Sequence, residues 1–479
     1  MDIKKAQEIN RRDFLGLMAA GTTGILLSGC NTVPGKISRK EHFDPRRLTP
    51  VPPLGWNSWD CLGYVANERR LLENIDVFAK KLRPHGYKYF VVDAGWFNEY
   101  TIKPEEEFPS DDSSRYVQID QYGRSLPSKI SFPNGLKPVI DHAHKLGVKF
   151  GVWLIRGVNR TAVEKNLPIK GTKYHASDIA NTNDICSWCD YNYGVDMDKP
   201  GAQEYYNSIL ELLAEWGVDF VKYDDIVPFP KEIEAVANAI ENCGRDIVLS
   251  LSPGGDINEA HISSYRRADM VRITSDVWDR RKDLVKGFDR WEQMAKYGGQ
   301  GFWLDLDMIP FGNLTVWNRP DKPGMDGRNL EDGRGFARMD NFTVDQKQAF
   351  MTQRALAASP LFMGGNLPGT DDLSFSLITN SEMLACNKNG VVGKLVHRQE
   401  NLDVWQSPHK SKPDYGWLGI FNRSESPCSF RLTKRELSLN ENSPYEFYDI
   451  WNSKIIRDHN NFDFSLGGDG VAFLRYQKT

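Results

Sequence analysis

The chain has 479 residues, which is too long for one ordinary domain and leaves room for a large domain with a smaller companion. Hydrophobic residues make up 40% and charged residues 26%, which is the composition of a globular protein. A net charge of −4 gives no basis for binding nucleic acid.

Residues 1–30 are predicted to be an export signal. The twin arginines Arg11 and Arg12 precede an apolar stretch, residues 17–27, that is too short to span a bilayer. The stretch ends in Leu-Ser-Gly-Cys30, which resembles a bacterial lipobox, so we expect cleavage before Cys30 and lipidation of its sulfur. An ordinary signal peptide with a chance cysteine is the alternative. With residues 31–48 as a linker, the mature protein is expected outside the cytoplasm, facing the periplasm or the cell surface on a lipid anchor.

Residues 49–388 are predicted to form a (β/α)8 TIM barrel, because strand-like and helix-like segments alternate eight times. Glycines such as Gly86, Gly147 and Gly217 stand where a helix ends and the next strand is due. An open doubly wound sheet is the alternative, but the chain carries no nucleotide-binding fingerprint. The predicted strands occupy residues 54–59, 87–96, 148–156, 219–224, 247–252, 270–276, 301–308 and 360–364.

Residues 389–479 have a different texture from the barrel. Short runs of alternating polarity are separated by turn residues, which predicts an antiparallel β-sandwich. The predicted fold is therefore an α/β barrel followed by a C-terminal β-sandwich domain that supports it.

Two acids, Asp224 and Asp276, end the fourth and sixth predicted strands. All strands of a parallel barrel end at one rim, so both side chains are expected to face one pocket. Hydrolysis of a glycosidic bond requires two opposed carboxylates, one that attacks or stabilises the sugar carbon and one that supplies a proton. Lys222 shares a strand face with Asp224, and a neighbouring cation keeps a carboxylate ionised, as a nucleophile must be.

Asp276 is the expected proton donor of the pair. It follows Arg272 by four residues and precedes Val277 and Trp278. Apolar surroundings and nearby anions would raise the pKa of this carboxyl, which suits a group that is protonated in one step and ionised in the next.

Three further residues leave alternatives open. Arg156 ends the third predicted strand, where it could recognise an anionic or differently oriented substrate group or could form a structural ion pair with an acid of the rim. Cys186 and Cys189 have the spacing of half a zinc site, but no second pair of ligands is near them in sequence. A local disulfide or two free thiols are therefore favoured, and no metal site is predicted.

Five sequence blocks resemble the signatures of glycoside hydrolase family 27, the α-galactosidase (melibiase) family, and they occur in the family's order. The blocks are residues 52–60, 92–96, 221–224, 272–276 and 303–308. The resemblance implies a retaining mechanism with Asp224 as nucleophile and Asp276 as acid/base, without a metal or organic cofactor. It also implies a substrate pocket formed by Trp59, Asp93, Lys222, Arg272 and Asp307, with Met308 packing nearby.

The chain departs from the family pattern at positions that govern specificity. Asp93 is followed by Ala94, where the family's α-galactosidases carry a second acid that helps hold the C4 and C6 hydroxyls of galactose. Trp153 stands where a tyrosine is common, and Ser252 with the small Gly254 leaves space that can fit an N-acetyl group in this family.

The sequence therefore predicts a retaining glycoside hydrolase that releases a terminal α-linked galactose, or a galactose-like sugar, from an oligosaccharide or a polysaccharide-derived glycan. A β-L-arabinopyranosidase or an α-N-acetylgalactosaminidase with the same fold and mechanism is the first alternative. A non-catalytic carbohydrate-binding lipoprotein is the second, against which the intact Asp224–Asp276 pair speaks. The oligomeric state is left open.

Overall fold

Eight parallel strands form the central sheet of the computed structural model, which describes residues 48–99, 117–253, 257–316, 337–457 and 461–479. The strands β1 to β7 pair in the order of the sequence, and β8 pairs with β1. The strands are β1 Leu54–Asn57, β2 Tyr89–Val92, β3 Lys149–Ile155, β4 Phe220–Asp224, β5 Val248–Leu251, β6 Met270–Arg272, β7 Trp303–Asp305 and β8 Leu361–Met363.

The sheet closes on itself just beyond β7. Ile309 forms a parallel bridge with Met363, and its amide donates to the carbonyl of Phe362 at 2.7 Å. The strands are short and almost wholly buried, as expected where helices cover one face and the barrel interior fills the other. The predicted (β/α)8 barrel is confirmed.

The observed strands are shorter than the predicted ones, and this moves one of the two acids. β4 ends at Asp224 as predicted, but β6 ends at Arg272, because its last ladder bond is donated by Ile273 to the carbonyl of Asp305. Asp276 therefore lies in the loop beyond β6 rather than at the strand end.

Helices follow most strands and cover the outside of the barrel. The helix before β4 ends at Gly217, whose φ of 92° lies in the left-handed region that glycine adopts without strain, and the chain enters β4 three residues later. The helices of eight or more residues are Glu68–Lys81, Lys137–Lys145, Ala202–Trp216, Pro230–Asn242, Arg281–Met294, Val344–Leu356 and Ser381–Asn389. Shorter helices are Trp59–Leu62, Arg160–Glu164, Ala176–Ile179, Ile262–Tyr265 and Asp372–Ile378.

Two small sheets extend the rim at the carboxyl ends of the strands. After β3, Val158–Asn159 and Ala180–Ile185 pair with Asn192–Val195. After β7, Asn313–Leu314 pairs with Arg338–Met339. We call residues 180–195 the rim hairpin, and residues 186–191 its tip.

The C-terminal region is an antiparallel β-sandwich with its own core, which includes Leu418, Phe447 and Leu474. It stacks on the barrel through Trp291 and Trp405, whose ring centroids are 3.7 Å apart. One sheet contains Lys394–Gln399, Leu402–Pro408, Tyr415–Asn422, Tyr445–Asp449, Lys454–Ile456 and Val471–Lys478, and the other contains Cys428–Thr433 and Asn461–Leu466. The sequence interpretation missed Asn461–Leu466, although Phe462 and Phe464 alternate as in a strand.

Residues 44–479 cluster as one compact unit. No helix in the described ranges is both long and apolar enough to cross a membrane. The predicted signal peptide, Cys30 and residues 31–47 of the predicted linker lie outside the described residues.

Candidate active site

The carboxylate of Asp224 is held in place on both of its oxygens. The indole N–H of Trp153, on β3, donates to Oδ2 at 2.9 Å, and the amide of Asp225 donates to Oδ1 at 3.1 Å. The Lys222 ammonium lies 4.0 Å from Oδ2, which agrees with the predicted shared strand face. Trp153 therefore contacts the candidate nucleophile directly.

Burial and charge act on Asp224 in opposite directions. Burial raises the pKa of this carboxyl, while the cations Lys222 and Arg272 and the indole of Trp153 lower it part of the way. The net shift is upward. Because the nucleophile must be ionised to attack, the two cations keep Asp224 active at pH values where burial alone would protonate it.

Asp93 is fixed by three donors around its carboxylate. Lys222 Nζ and Asn57 Nδ2 donate to Oδ2 at 2.8 and 2.7 Å, and the amide of Ala94 donates to Oδ1 at 2.9 Å. Burial lowers the pKa of Lys222, but Asp93 and Asp224 more than offset it, so the net shift is upward and the amine stays charged. Asn57 at the end of β1 is a site residue that the sequence interpretation missed.

Asp276 is paired with a cation and is partly open to solvent. Its Oδ1 lies 2.9 Å from Arg272 Nη1, and its side chain is 46% exposed. The expectation of apolar surroundings for Asp276 is therefore wrong, because the loop beyond β6 turns the side chain back onto the arginine. Burial lowers the pKa of Arg272, but the charges of Asp307, Asp276 and Asp224 outweigh burial, so the net shift of this pKa is upward. Arg272 thus lies within the electrostatic reach of both candidate catalytic acids.

Asp307 links the end of β7 to the loop that carries Asp276. One oxygen contacts Arg272 Nη1 at 3.2 Å, and the other accepts from the amide of Val277 at 2.8 Å. Its φ of 73° lies in the left-handed region, which is uncommon for a residue other than glycine and is concentrated at functional sites.

Asp305, two residues earlier, accepts from the amide of Asp307 at 2.8 Å. Burial and the neighbouring Asp307 charge raise the pKa of Asp305 to about 7.

A cavity inside the barrel brings five of the predicted site residues together. Its walls include Lys222, Ser252, Arg272, Asp307 and Met308. The cavity therefore unites residues that four different strands of the barrel position.

Three buried polar atoms near this cavity have no hydrogen-bond partner within the described part of the chain. They are Ser252 Oγ, Arg272 Nε and Asp60 Oδ2. Burial raises the pKa of Asp60 well above its usual value, and the charges of Asp307 and Asp276 add to the effect. Unsatisfied buried polar groups are costly, and a polar ligand such as a sugar with several hydroxyls would satisfy these three.

Trp59 lies at the edge of the same interior. It is partly buried against the apolar cluster that contains Met308, and its ring meets that of Tyr64 edge-to-face at 4.9 Å.

Arg156 is anchored away from the cavity. Its guanidinium contacts Asp184 at 2.7 and 2.9 Å, Asp225 at 3.0 Å and Glu232 at 3.2 Å, and it lies 3.3 Å from the ring centroid of Phe229. The predicted substrate contact is therefore corrected to the structural ion pair, which also engages the carboxylate of Asp225. The signal that decides this is three carboxylates from separate segments, which no local sequence pattern reveals.

Cys186 and Cys189 are free thiols, and both are buried. Within the described residues, no group of three or more His, Cys, Asp and Glu side chains is arranged to hold a metal ion. The sequence left a disulfide or two free thiols as the favoured options, and in the structure both cysteines are free thiols. Gly254, which was predicted to leave space for an N-acetyl group, lies outside the described residues.

Comparison with known proteins identifies related chains over the whole barrel. The family model "Melibiase" matches residues 36–239, and the model "Alpha galactosidase A" matches residues 164–389. A β-L-arabinopyranosidase of glycoside hydrolase family 27 from Geobacillus stearothermophilus is 35% identical, with a TM-score of 0.83, and the match covers 91% of this chain and 98% of that one. A structure of a single-residue variant of that enzyme in complex with arabinose matches with the same TM-score of 0.83.

More distant relatives carry two other activities in their names. An α-galactosidase of Cyamopsis tetragonoloba is 24% identical over 424 residues, covering 86% of this chain and 84% of the relative. A human α-N-acetylgalactosaminidase is 24% identical over 459 residues, covering 89% and 91%.

Proposed function

Because the chain belongs to glycoside hydrolase family 27, we propose that it is a retaining β-L-arabinopyranosidase that removes this sugar from the end of a glycan. The chain is a glycoside hydrolase that acts on O-glycosyl bonds. Its sugar specificity and the roles of its individual residues are the proposal.

In the proposed first step, Asp224 attacks the anomeric carbon while the bond to the leaving oxygen breaks. Asp276 gives that oxygen its proton, and a covalent glycosyl-enzyme forms. Asp276, now ionised, then takes a proton from water, which attacks the same carbon and releases Asp224. Two inversions leave the anomeric configuration of the product equal to that of the substrate.

The contacts around each acid support these roles. The Trp153 indole and the Lys222 ammonium stabilise the Asp224 carboxylate both before attack and after its release. Asp276 is the more exposed of the two, as access for both a leaving group and a water molecule requires. Its partner Arg272 also contacts Asp307, so a charge partner for the arginine remains when Asp276 turns to the substrate.

The observation that carries the sugar specificity is Ala94. It is buried at the site, directly after the Asp93 carboxylate that Lys222 and Asn57 fix in place. L-Arabinopyranose has the ring stereochemistry of D-galactose but lacks the C6 hydroxymethyl group. A site with no polar partner for a hydroxyl does not select for that hydroxyl, so the methyl of Ala94 favours the pentopyranose.

A panel of 4-nitrophenyl glycosides tests this specificity. We expect kcat/KM for the β-L-arabinopyranoside to exceed that for the α-D-galactoside by about tenfold or more, since one lost hydrogen-bond partner is worth that much. Proton NMR of the first-formed sugar should show retention. A galactoside preference would favour the second candidate, an α-galactosidase, which the names of the relatives and the retained Asp93 support.

Substitution at Ala94 separates the two candidates by mechanism. Ala94→Asp should shift the ratio of kcat/KM toward the galactoside by about tenfold. Ala94→Asn is the matched control, because asparagine has the size of aspartate but no charge, and it should shift the ratio of kcat/KM less. An unchanged ratio in Ala94→Asp would remove Ala94 as the source of specificity.

Chemical rescue tests the nucleophile. Asp224→Gly should lose turnover but keep its fold, and added azide should restore cleavage of an activated glycoside with a glycosyl azide of inverted configuration as product. Hydrolysis at an undiminished rate without azide would exclude Asp224. Asp225→Gly, which alters the adjacent carboxylate, should gain nothing from azide.

We also propose that the protein is exported through its twin-arginine signal and lipidated on Cys30. The sequence Leu-Ser-Gly-Cys30 after an apolar stretch supports this proposal. Cys30→Ser should move the protein from the membrane fraction to the soluble fraction and should abolish labelling by a fatty acid. A membrane-bound, unlabelled variant would contradict it.

A further inference from the structure

The tip of the rim hairpin holds an unusually exposed aromatic residue. Trp188 is 43% exposed, and it is the only aromatic residue in the described ranges among the exposed large hydrophobic side chains. Cys186 and Cys189, which flank Ser187 and Trp188 in the tip, are each only 8% exposed. The tip is therefore held by its two buried cysteines, Cys186 and Cys189, and presents Trp188 outward.

The two cysteines of the tip lie beside the segment that contains the candidate nucleophile. The charge of Asp225, the residue directly after Asp224, helps burial to raise the pKa of the Cys186 thiol, which places that thiol beside the Asp225 carboxylate. Burial raises the pKa of the Cys189 thiol, and the charge of Asp224 contributes to the same shift. These contacts locate the tip beside the end of β4.

The residues that follow the tip are anchored to the cluster of aromatic side chains that includes Trp153, the hydrogen-bond donor to Asp224. Tyr191 is buried, accepts from Asn98 Nδ2 at 3.0 Å, and meets the ring of Phe97 at 5.7 Å. Phe97 in turn lies 5.9 Å from Trp153, whose indole binds the Asp224 carboxylate.

The entry to the tip is anchored by charge. Asp184 is held by two bonds from Arg156, which follows β3, and Ile185 pairs with Tyr193 across the hairpin. Bidentate pairs between arginine and a carboxylate fix geometry as well as charge. The hairpin is therefore tied to the barrel before, within and after its tip.

We propose that Trp188 forms the binding platform for the leaving group, and that it packs against the sugar ring to which the terminal residue is attached. An indole is a large flat surface with a polar edge, and such surfaces bind the C–H faces of sugars in partly wet sites. A loop that is already held in place loses little conformational entropy when a ligand binds to it. A rigid, exposed indole is therefore well suited to ligand recognition. This inference rests on the proposed function, because only a glycosidase has such a leaving group.

Substrates with and without a leaving-group ring test the proposal. β-L-Arabinopyranosyl fluoride has none, whereas a disaccharide of β-L-arabinopyranose on a hexopyranose has one. In Trp188→Ala, kcat/KM for the disaccharide should fall by about tenfold or more, while the value for the fluoride should stay within about twofold of the wild type. Trp188→Phe should retain most of the disaccharide activity, because it keeps an aromatic face.

Three outcomes would overturn the proposal. An equal fall for both substrates would mean that Trp188 supports the nucleophile rather than the leaving group. No fall for either would mean that the indole contacts neither part of the substrate. A loss for the disaccharide that Ile455→Ala on the β-sandwich reproduces would show a general effect of removing an exposed apolar side chain.

Failure of the sugar specificity is distinguishable from failure of this inference. The same comparison with α-D-galactosyl fluoride and a galactosyl disaccharide reports on Trp188 even if galactose is the preferred terminal sugar. Binding can also be measured by calorimetry in the Asp224→Ala background, where the intact disaccharide should bind less tightly once Trp188→Ala is added. L-Arabinose, which has no leaving group, should bind both variants equally, and an equal loss for both ligands would contradict the platform.

Discussion

Replacing Lys222 with methionine gives the sharpest test of how the candidate nucleophile is kept ionised. The ammonium lies 4.0 Å from Asp224 Oδ2 and donates to Asp93 Oδ2 at 2.8 Å. At 4 Å and an effective dielectric constant of about 20, two unit charges interact by about 4 kcal/mol, or about three pKa units. Asp93 shares the cation, so we expect Lys222→Met to raise the pKa of Asp224 by about one to three units.

The assay is kcat/KM against pH on an activated glycoside, between about pH 3 and pH 9. A nucleophile loses activity when it is protonated, so the acid limb reports on Asp224 in the free enzyme and should move to higher pH in the variant. The plateau should also fall, because Lys222 lines the cavity in which the proposed function places the sugar. Lys222→Arg keeps the charge, and its acid limb should remain within about half a unit of the wild type.

The position of the limb, rather than the height of the plateau, decides the matter. A lower plateau with an unmoved acid limb would refute the electrostatic role of Lys222 and leave it as a sugar contact only. A limb that moves to lower pH would mean that Asp224 is not the group that titrates there.

Three further substitutions probe other parts of the site. Trp153→Phe removes the indole donor to Asp224 and should lower kcat/KM by about tenfold, with a smaller upward move of the acid limb, measured in the same pH series. Gly364→Ala places a methyl group against the Asp60 carboxylate and should destabilise the fold by about 1–3 kcal/mol in urea unfolding, unless Asp60→Ala is made as well. Burial raises the pKa of Glu232 to about 7. Near neutral pH the folded chain therefore still holds a proton on Glu232 that the unfolded chain has released. The stability that this proton contributes is lost as pH rises through about 7. Glu232→Gln should therefore reduce the fall in Tm between about pH 5 and pH 8, and an unchanged fall would show that Glu232 is not responsible.

The barrel could be predicted because its determinants are local. Apolar runs of strand length, amphipathic helices and a glycine such as Gly217 at a helix end recur along the chain, and each is a property of neighbouring residues. The position of Asp224 follows from the same pattern, since it terminates one such run. The closing of the sheet then follows from the rule that parallel strands with helical connections wind in one direction.

The surroundings of the two acids could be predicted only in part. The shared face of Lys222 and Asp224 follows from the period of a strand, whereas the loop that turns Asp276 onto Arg272 begins where the ladder of β6 ends, and no nearby residue marks that point. The apolar surroundings expected from Val277 and Trp278 therefore did not occur.

Sequence alone determined which segments form the eight strands of the barrel and which acid ends the fourth strand, because both depend on residues a few positions apart. Tertiary structure alone decided that Arg156 binds three carboxylates from separate segments instead of substrate, and that the indole of Trp153 reaches Asp224. Hydrogen bonds and ion pairs act over a few ångströms in space regardless of separation along the chain. Their partners are consequently fixed only when the closed barrel brings the ends of its strands to one rim.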